Sequence, residues 1–91
     1  MRYRSRTDIA SKMLEAADGG VTKTRIMYKA FLSYEQLKEY LVLLCENGLL
    51  EYNEESRTYK TTYKGIRFLE IYSQIGDSFQ LNPMPAQAAA Q

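Results

Sequence analysis

Residues 33–48 read S-Y-E-Q-L-K-E-Y-L-V-L-L-C-E-N-G, and this stretch predicts one helix with both of its ends encoded. Ser33 is an N-cap residue, and the Gln36 side chain, three positions later, can reach back to the Ser33 backbone N–H. Asn47-Gly48 supplies the left-handed residue that ends many helices. Apolar side chains recur between these ends at helical spacing and predict one buried face, made of Leu37, Tyr40, Leu41 and Leu44.

Two shorter helices are predicted on the N-terminal side of this central helix. The first covers about residues 7–17, with Ser5 or Thr7 as its N-cap. The second follows the chain-breaking sequence D-G-G at 18–20 and starts after Thr22, which can cap it. The side chains predicted to face the core are Ile9, Ala10, Met13, Leu14 and Ala17 in the first helix, and Ile26, Met27 and Ala30 in the second.

A β-hairpin and a last helix are predicted after the central helix. Residues 49–53 form the first strand, E-E-S the turn, and residues 57–61 a return strand rich in β-branched and aromatic residues. Thr62 can cap the last helix, which covers about residues 62–76. The chain is therefore predicted to be mainly α with a small β-hairpin (α+β), in the order helix-helix-helix-hairpin-helix. A helix-turn-helix followed by such a wing is a winged helix-turn-helix.

Composition narrows the class of protein. Ninety-one residues predict one small domain, and no apolar run approaches the length that crosses a bilayer. The N-terminal residues lack the apolar stretch of a secretory signal. The single cysteine, Cys45, favours a reducing compartment such as the cytoplasm, and its place beside the buried stripe favours packing over a redox role. There is no histidine, and no catalytic pair or metal cluster is visible, so we expect neither an enzyme nor a cofactor nor a metal.

Charge is segregated along the chain although the net charge is only +1. Residues 1–30 carry seven basic and three acidic side chains, and residues 56–67 carry four basic side chains and none that are acidic. Residues 31–55, which include the central helix, carry one basic and six acidic side chains. Any site for a polyanion must therefore be built from the two basic segments.

The candidate contacts to double-stranded DNA come from the second helix, the start of the central helix, and the wing. Basic charge in the first turn of the second helix opposes the helix dipole, so an external anion explains it better than helix stability does. An ordinary solvated face and a decorated surface hairpin remain the alternatives. The candidates are Lys23, Thr24, Arg25, Lys29, Ser33, Tyr34, Gln36, Lys38, Arg57, Lys60 and Lys64.

The outward face of the central helix argues against deep reading of a DNA groove. Helices in the major groove usually offer Arg, Lys, Asn or Gln to the bases. Here Glu35, Glu39 and Glu46 share that face, and their carboxylates repel phosphates. A basic protein surface is the alternative partner for such a face.

Both ends of the chain carry further predictions. Residues 1–6 form a basic arm that either lies along DNA or only improves solubility. The last helix carries a second apolar stripe, which predicts a homodimer, through Phe68, Ile71, Tyr72 and Ile75. Residues 77–91 are predicted to be a disordered tail because they are of low complexity and contain two prolines.

Four motifs in register resemble the archaeal winged helix-turn-helix predicted transcriptional regulators. They are T-K-T-R-I-M-Y-K-A, L-S-Y-E-Q-L-K-E-Y-L, E-N-G-L-L-E-Y and T-Y-K-T-T-Y-K-G, within about residues 5–75. The resemblance implies a small dimeric DNA-binding protein without a cofactor, in some members joined by an antiparallel coiled coil of the last helix. This chain differs because Gly76 and Pro83 follow early, which predicts a short helix pair instead.

Two hypotheses about function follow. The first is a dimeric transcriptional regulator or a chromatin-associated protein of the nucleoid, anchored on DNA phosphates by its second helix and wing. The second is a winged-helix protein–protein interaction module that uses its acidic central helix. The basic segments favour the first hypothesis, and the acidic face favours the second.

Overall fold

The computed structural model describes residues 5–81, and of residues 74–81 it describes the backbone alone. The elements are α1 Arg6–Ala16, α2 Lys23–Ala30, α3 Tyr34–Glu46, β1 Leu50–Asn53, β2 Thr58–Thr61 and α4 Tyr63–Leu81. This order confirms the predicted α+β winged helix-turn-helix. Residues 1–4 and 82–91, which hold most of the predicted arm and tail, lie outside the described residues.

The helix that organises the chain has the ends that its sequence predicts. The Ser33 hydroxyl accepts a hydrogen bond from the Gln36 N–H at 3.1 Å, and the Gln36 Oε1 accepts one from the Ser33 N–H at 3.1 Å. A capping box therefore starts α3 and satisfies two backbone donors that a helix start otherwise leaves open. Gly48 follows the C-cap residue Asn47 in the left-handed conformation, with φ 74°.

The N-terminal arm is shorter than predicted because Ser5, and not Thr7, caps α1. The Ser5 hydroxyl accepts a hydrogen bond from the Asp8 N–H at 3.0 Å. Arg6, the last residue of the predicted arm, is the first residue of α1. Its guanidinium carbon lies 5.5 Å from the centroid of the Tyr40 ring on α3, a cation–π contact between the two helices.

The core lies between α1, α2 and α3 and is closed by the hairpin. The predicted inward faces of all three helices are confirmed, except that Met27 is only half-buried. The Thr61 hydroxyl at the end of β2 is buried and donates to the Leu14 carbonyl at 2.6 Å. The buried apolar side chains are Ile9, Ala10, Met13, Leu14, Ala17, Ile26, Ala30, Leu32, Leu37, Tyr40, Leu41, Leu44 and Leu50.

The wing is an antiparallel hairpin in which Leu50 pairs with Thr61 and Asn53 with Thr58. Val21 forms an isolated β-bridge with Tyr59 on the free side of β2. The Val21 N–H donates to the Tyr59 carbonyl with an N to O distance of 2.9 Å, and the Tyr59 N–H donates to the Val21 carbonyl at 2.7 Å. This bridge ties the middle of β2 to the residue that precedes the cap of α2. The wing therefore has a fixed position relative to α2.

The last helix starts at the predicted cap but is longer than predicted. The Thr62 hydroxyl accepts from the Gly65 N–H at 3.1 Å and donates to the Gly48 carbonyl at 2.6 Å. The helix then continues through Gly76 to Leu81. A helical glycine costs only about 1 kcal/mol relative to alanine, which is too little by itself to end a helix.

Candidate nucleic-acid interface

The outward face of α2 is basic and exposed, as the sequence predicts. Thr22 caps the helix by accepting from the Arg25 N–H at 3.3 Å, and α2 contains no acidic residue. Together with Thr22, the outward side chains Thr24, Arg25, Tyr28 and Lys29 line one shallow hollow of 390 Å³. The positive charge of α2 therefore faces solvent and is not neutralised from within its own helix.

The first turns of α2 and α3 meet at the ring of Tyr34. The Lys23 Nζ lies 5.8 Å and the Lys38 Nζ 5.1 Å from the centroid of that ring. Such contacts contribute about 0.5–1 kcal/mol at exposed sites. They hold two ammonium groups beside the N-terminus of α3, where the open backbone N–H groups also favour an anion.

The N-terminus of α2 also meets the wing, so the two basic segments come together. A hollow of 370 Å³ lies between them, and both Lys23 of α2 and Arg57 of the wing turn line it. Arg57 stands in the left-handed conformation with φ 58°, and its N–H donates to the Asn53 carbonyl at 2.7 Å. The residues lining this hollow are Thr22, Lys23, Thr24, Tyr52, Arg57 and Tyr59.

Two of the predicted basic contacts do not join this surface. Lys60 lines a different hollow on the other side of the hairpin, in the company of Glu51, Glu54 and Glu55. The Lys64 Nζ donates to the Asn47 carbonyl at 2.8 Å, where it complements the negative end of the α3 dipole. The alternation of side chains along a strand could have indicated the position of Lys60, because its neighbours Tyr59 and Thr61 face inward.

The candidates for reading bases are partly committed to the fold. The Ser33 hydroxyl and the Oε1 atom of Gln36 both accept hydrogen bonds in the capping box, which leaves the Ser33 O–H proton and the Gln36 NH₂ group to donate to a base. Tyr34 is 51 % exposed, and Lys38 is also exposed. The start of α3 therefore offers few groups for sequence-specific reading.

The remainder of the outward face of α3 is acidic, as predicted. Glu35, Glu39 and Glu46 are exposed, and Val42 between them is 58 % exposed. Beside it, a hollow of 300 Å³ separates α3 from the hairpin. Cys45 lines this hollow and packs against the core, and burial raises the pKa of its thiol. A thiol with a raised pKa is a poor nucleophile at neutral pH, in keeping with a packing role.

The structure gives different environments to the predicted dimerisation residues of α4. Phe68 packs against the core, and its ring stacks on that of Tyr72 at 6.3 Å. The Tyr72 hydroxyl donates to the Asp8 carboxylate at 2.9 Å, and this hydrogen bond raises the pKa of the tyrosine. Ile71 is 52 % exposed, whereas the side chain of Ile75 lies outside the described part of the chain.

The structure also reveals exposed aromatic side chains that the sequence interpretation did not select. Tyr28 is 70 % and Phe31 82 % exposed, at the end of α2. Phe31 is the C-cap of α2 and adopts φ 57°. The sequence signal was the position of Phe31 directly after a predicted helix, where glycine is the usual residue.

The chain belongs to the winged helix-turn-helix family, whose family model matches residues 3–79. Among solved structures, it is similar to the crystal structure of Sso10a-2, a DNA-binding protein from Sulfolobus solfataricus. That comparison has a TM-score of 0.77 and 22 % sequence identity, and covers 97 % of this chain and 98 % of that one. At this identity the similarity concerns the fold. None of the curated proteins matches the sequence.

The described residues contain neither a membrane-spanning helix nor a cluster of metal ligands. Within residues 5–81, no helix combines the length and the apolarity that crossing a membrane requires. In the same part of the chain, His, Cys, Asp and Glu side chains form no group of three that could hold a metal ion.

Proposed function

We propose that this protein is a DNA-binding winged-helix protein without enzymatic activity, acting in the cytoplasm as a transcriptional regulator or as a nucleoid-associated chromatin protein. The observation that carries the proposal is the meeting of Lys23 and Arg57 at one hollow. It joins the two basic segments of the chain into one surface. The DNA-binding description of Sso10a-2, which has a similar fold, supports the same conclusion.

In the proposed mechanism, phosphates supply most of the affinity and bases supply little. Lys23, Arg25, Lys29 and Arg57 contact the backbone of duplex DNA, and this fixes the orientation of the protein. Lys38 adds charge at the start of α3. Tyr34 and the Gln36 NH₂ group provide modest reading of base edges.

We further propose that two chains pair through α4. Its 19 residues span about 28 Å, and Ile71 remains half exposed while Phe68 and Tyr72 contact the chain's own core and α1. The dimer surface would therefore consist of Ile71 and residues nearer the end of the helix. Pairing doubles the number of phosphates that one assembly contacts.

The salt dependence of binding to duplex DNA tests the phosphate mechanism. Each neutralised phosphate releases counterions and contributes about −0.9 to the slope of log K against log salt. Four contacts in each of two subunits predict a slope of about −7. Arg25→Gln should reduce its magnitude by about one per subunit and weaken all sequences alike. Lys60→Gln is the matched control, because Lys60 lies among glutamates on the other side of the wing.

A flat salt response, or no binding to duplex DNA at low ionic strength, would contradict the proposal. Equal effects of Arg25→Gln and Lys60→Gln would show that only the total charge matters. The proposed surface would then have no special role.

The acidic face of α3 supports a second candidate, a module that binds a basic protein surface. Val42 lies exposed between Glu39 and Glu46, beside the hollow between α3 and the hairpin. Glu39→Lys distinguishes the candidates. It should tighten non-specific DNA binding if α3 approaches phosphates, and leave DNA binding unchanged if that face serves a protein partner.

A further inference from the structure

Exposed aromatic side chains surround the junction between α2 and α3. Tyr28 and Phe31 are 70 % and 82 % exposed, and Tyr34 at the start of α3 is 51 % exposed. In a folded domain, aromatic side chains usually bury much of their surface. Three exposed rings within seven residues therefore point to a surface that meets a ligand.

The left-handed backbone conformation of Phe31 also indicates a surface that meets a ligand. Phe31 has φ 57°, a conformation that glycine or asparagine adopts at lower cost. Its N–H closes the helix by donating to the Tyr28 carbonyl at 3.3 Å, and any residue other than proline could donate in this way. A bulky residue in a costly conformation at an exposed site suggests a function for its side chain.

The charges beside these rings indicate the kind of ligand. Tyr28 shares its hollow with Arg25 and Lys29, and α2 contains no acidic residue. The Tyr34 ring lies near the ammonium groups of Lys23 and Lys38. Cations interleaved with exposed rings are suited to a polyanion that also offers flat apolar faces.

Single-stranded nucleic acid is the polyanion with those properties. In a duplex, the faces of the bases stack on one another, so the protein reaches only their edges and the phosphates. In a single strand, each base can stack on an aromatic side chain while a basic groove follows the backbone. The faces of exposed rings therefore have no base to stack on in a duplex, whereas they add directly to the binding of unpaired bases.

We propose that Tyr28 and Phe31, flanked by Arg25 and Lys29, form a stacking platform for the unpaired bases of single-stranded nucleic acid. This activity goes beyond the proposed duplex binding. It shares the cations of α2 with that function but adds the two rings. Tyr34 lies at the edge of the platform and serves both activities.

Fluorescence anisotropy with labelled oligonucleotides tests the platform. The probes are a 12-nucleotide oligothymidylate, an abasic strand of the same length and charge, and a 12-base-pair duplex. Stacking should make oligothymidylate bind at least about fivefold more tightly than the abasic strand, since each stacked base is worth that factor or more. The abasic strand measures the phosphate contribution alone.

Variants assign the effect to the rings. Tyr28→Ala should weaken binding to oligothymidylate about fivefold or more and change the abasic and duplex affinities less than twofold. Tyr63→Ala is the matched control, because Tyr63 on α4 is 76 % exposed and lies outside the platform. Phe31→Gly removes the other ring and suits the backbone conformation, so it should remain folded while it loses affinity for the single strand.

The outcomes separate this inference from the proposed duplex binding. Equal affinity for oligothymidylate and the abasic strand overturns the platform, even if duplex binding is strong. Equal losses in Tyr28→Ala and Tyr63→Ala, or no loss in Phe31→Gly, overturn it as well. Tight binding of oligothymidylate without duplex binding would support the platform and contradict the proposed function.

Discussion

Replacing Arg57 by glycine should separate the stability of the wing from its function. Arg57 adopts φ 58° in the turn of the hairpin, and it lines the hollow that Lys23 also lines. A residue with a Cβ loses roughly 1–2 kcal/mol in this conformation, and glycine does not. Arg57→Gly should therefore relieve the backbone while removing one of the proposed phosphate contacts.

The two effects have opposite signs and can be estimated. Glycine also makes the unfolded chain more flexible, which lowers the free energy of unfolding by about 0.4–1 kcal/mol and offsets part of this gain. The net change in unfolding free energy should lie between about 0 and +1.6 kcal/mol, with a Tm up to about 10 °C higher. Loss of one phosphate contact should weaken duplex binding about eightfold at 0.1 M salt, and about sixtyfold when both subunits of a dimer lose it.

Thermal unfolding followed by circular dichroism, with duplex binding measured at several salt concentrations, would check both effects. Arg57→Lys is the control, because it keeps both the charge and the strained backbone and should leave stability and salt slope nearly unchanged. The reasoning is refuted if Arg57→Gly lowers the Tm by several degrees. It is equally refuted if the salt slope of Arg57→Gly equals that of the wild type.

Three further substitutions test the packing and the pairing of α4. Gly65→Ala should lower the Tm by roughly 5–15 °C, because the added Cβ would lie 2.5 Å from the Leu49 carbonyl oxygen; a raised Tm would mean that helix propensity prevails. Tyr72→Phe removes the hydrogen bond to Asp8 and should cost about 1 kcal/mol in denaturant unfolding near neutral pH. Because this hydrogen bond raises the pKa of Tyr72, its contribution is present while the hydroxyl is protonated and disappears at alkaline pH, so the variant and the wild type should converge there. Ile71→Lys should yield folded monomers in light scattering, and a dimer that persists would exclude Ile71 from the interface.

The sequence predicted those features that are encoded by neighbouring residues. The capping box of Ser33 and Gln36, the left-handed Gly48 and the cap at Thr62 each depend on residues within one helical turn. The buried faces of α1, α2 and α3 follow from helical periodicity in the same way. Both kinds of signal survive folding because they do not depend on where distant segments lie.

The site was harder to predict because it depends on distant segments and on the direction of single side chains. The hydrogen bond from Tyr72 to Asp8 joins residues 64 positions apart. It places the Tyr72 ring against the chain's own α1, whereas the sequence predicted that this ring contacts a second chain. Arg57 and Lys60 are three residues apart, yet they line different hollows because one belongs to the turn and the other to the strand. Charge counting along the chain cannot make that distinction.

The junction of α3 and α4 has a consequence for the geometry of an assembled protein. The Thr62 hydroxyl and the Lys64 ammonium both donate to carbonyls just after α3, which ties the start of α4 to the end of α3. In a dimer paired through α4, the separation of the two copies of α3 is then set by the register of that pairing. A slip of one helical turn moves one partner about 5.4 Å along the other, about a sixth of the roughly 34 Å between successive turns of a DNA groove. The spacing of preferred half-sites would thus report on how the C-terminal helices interlock.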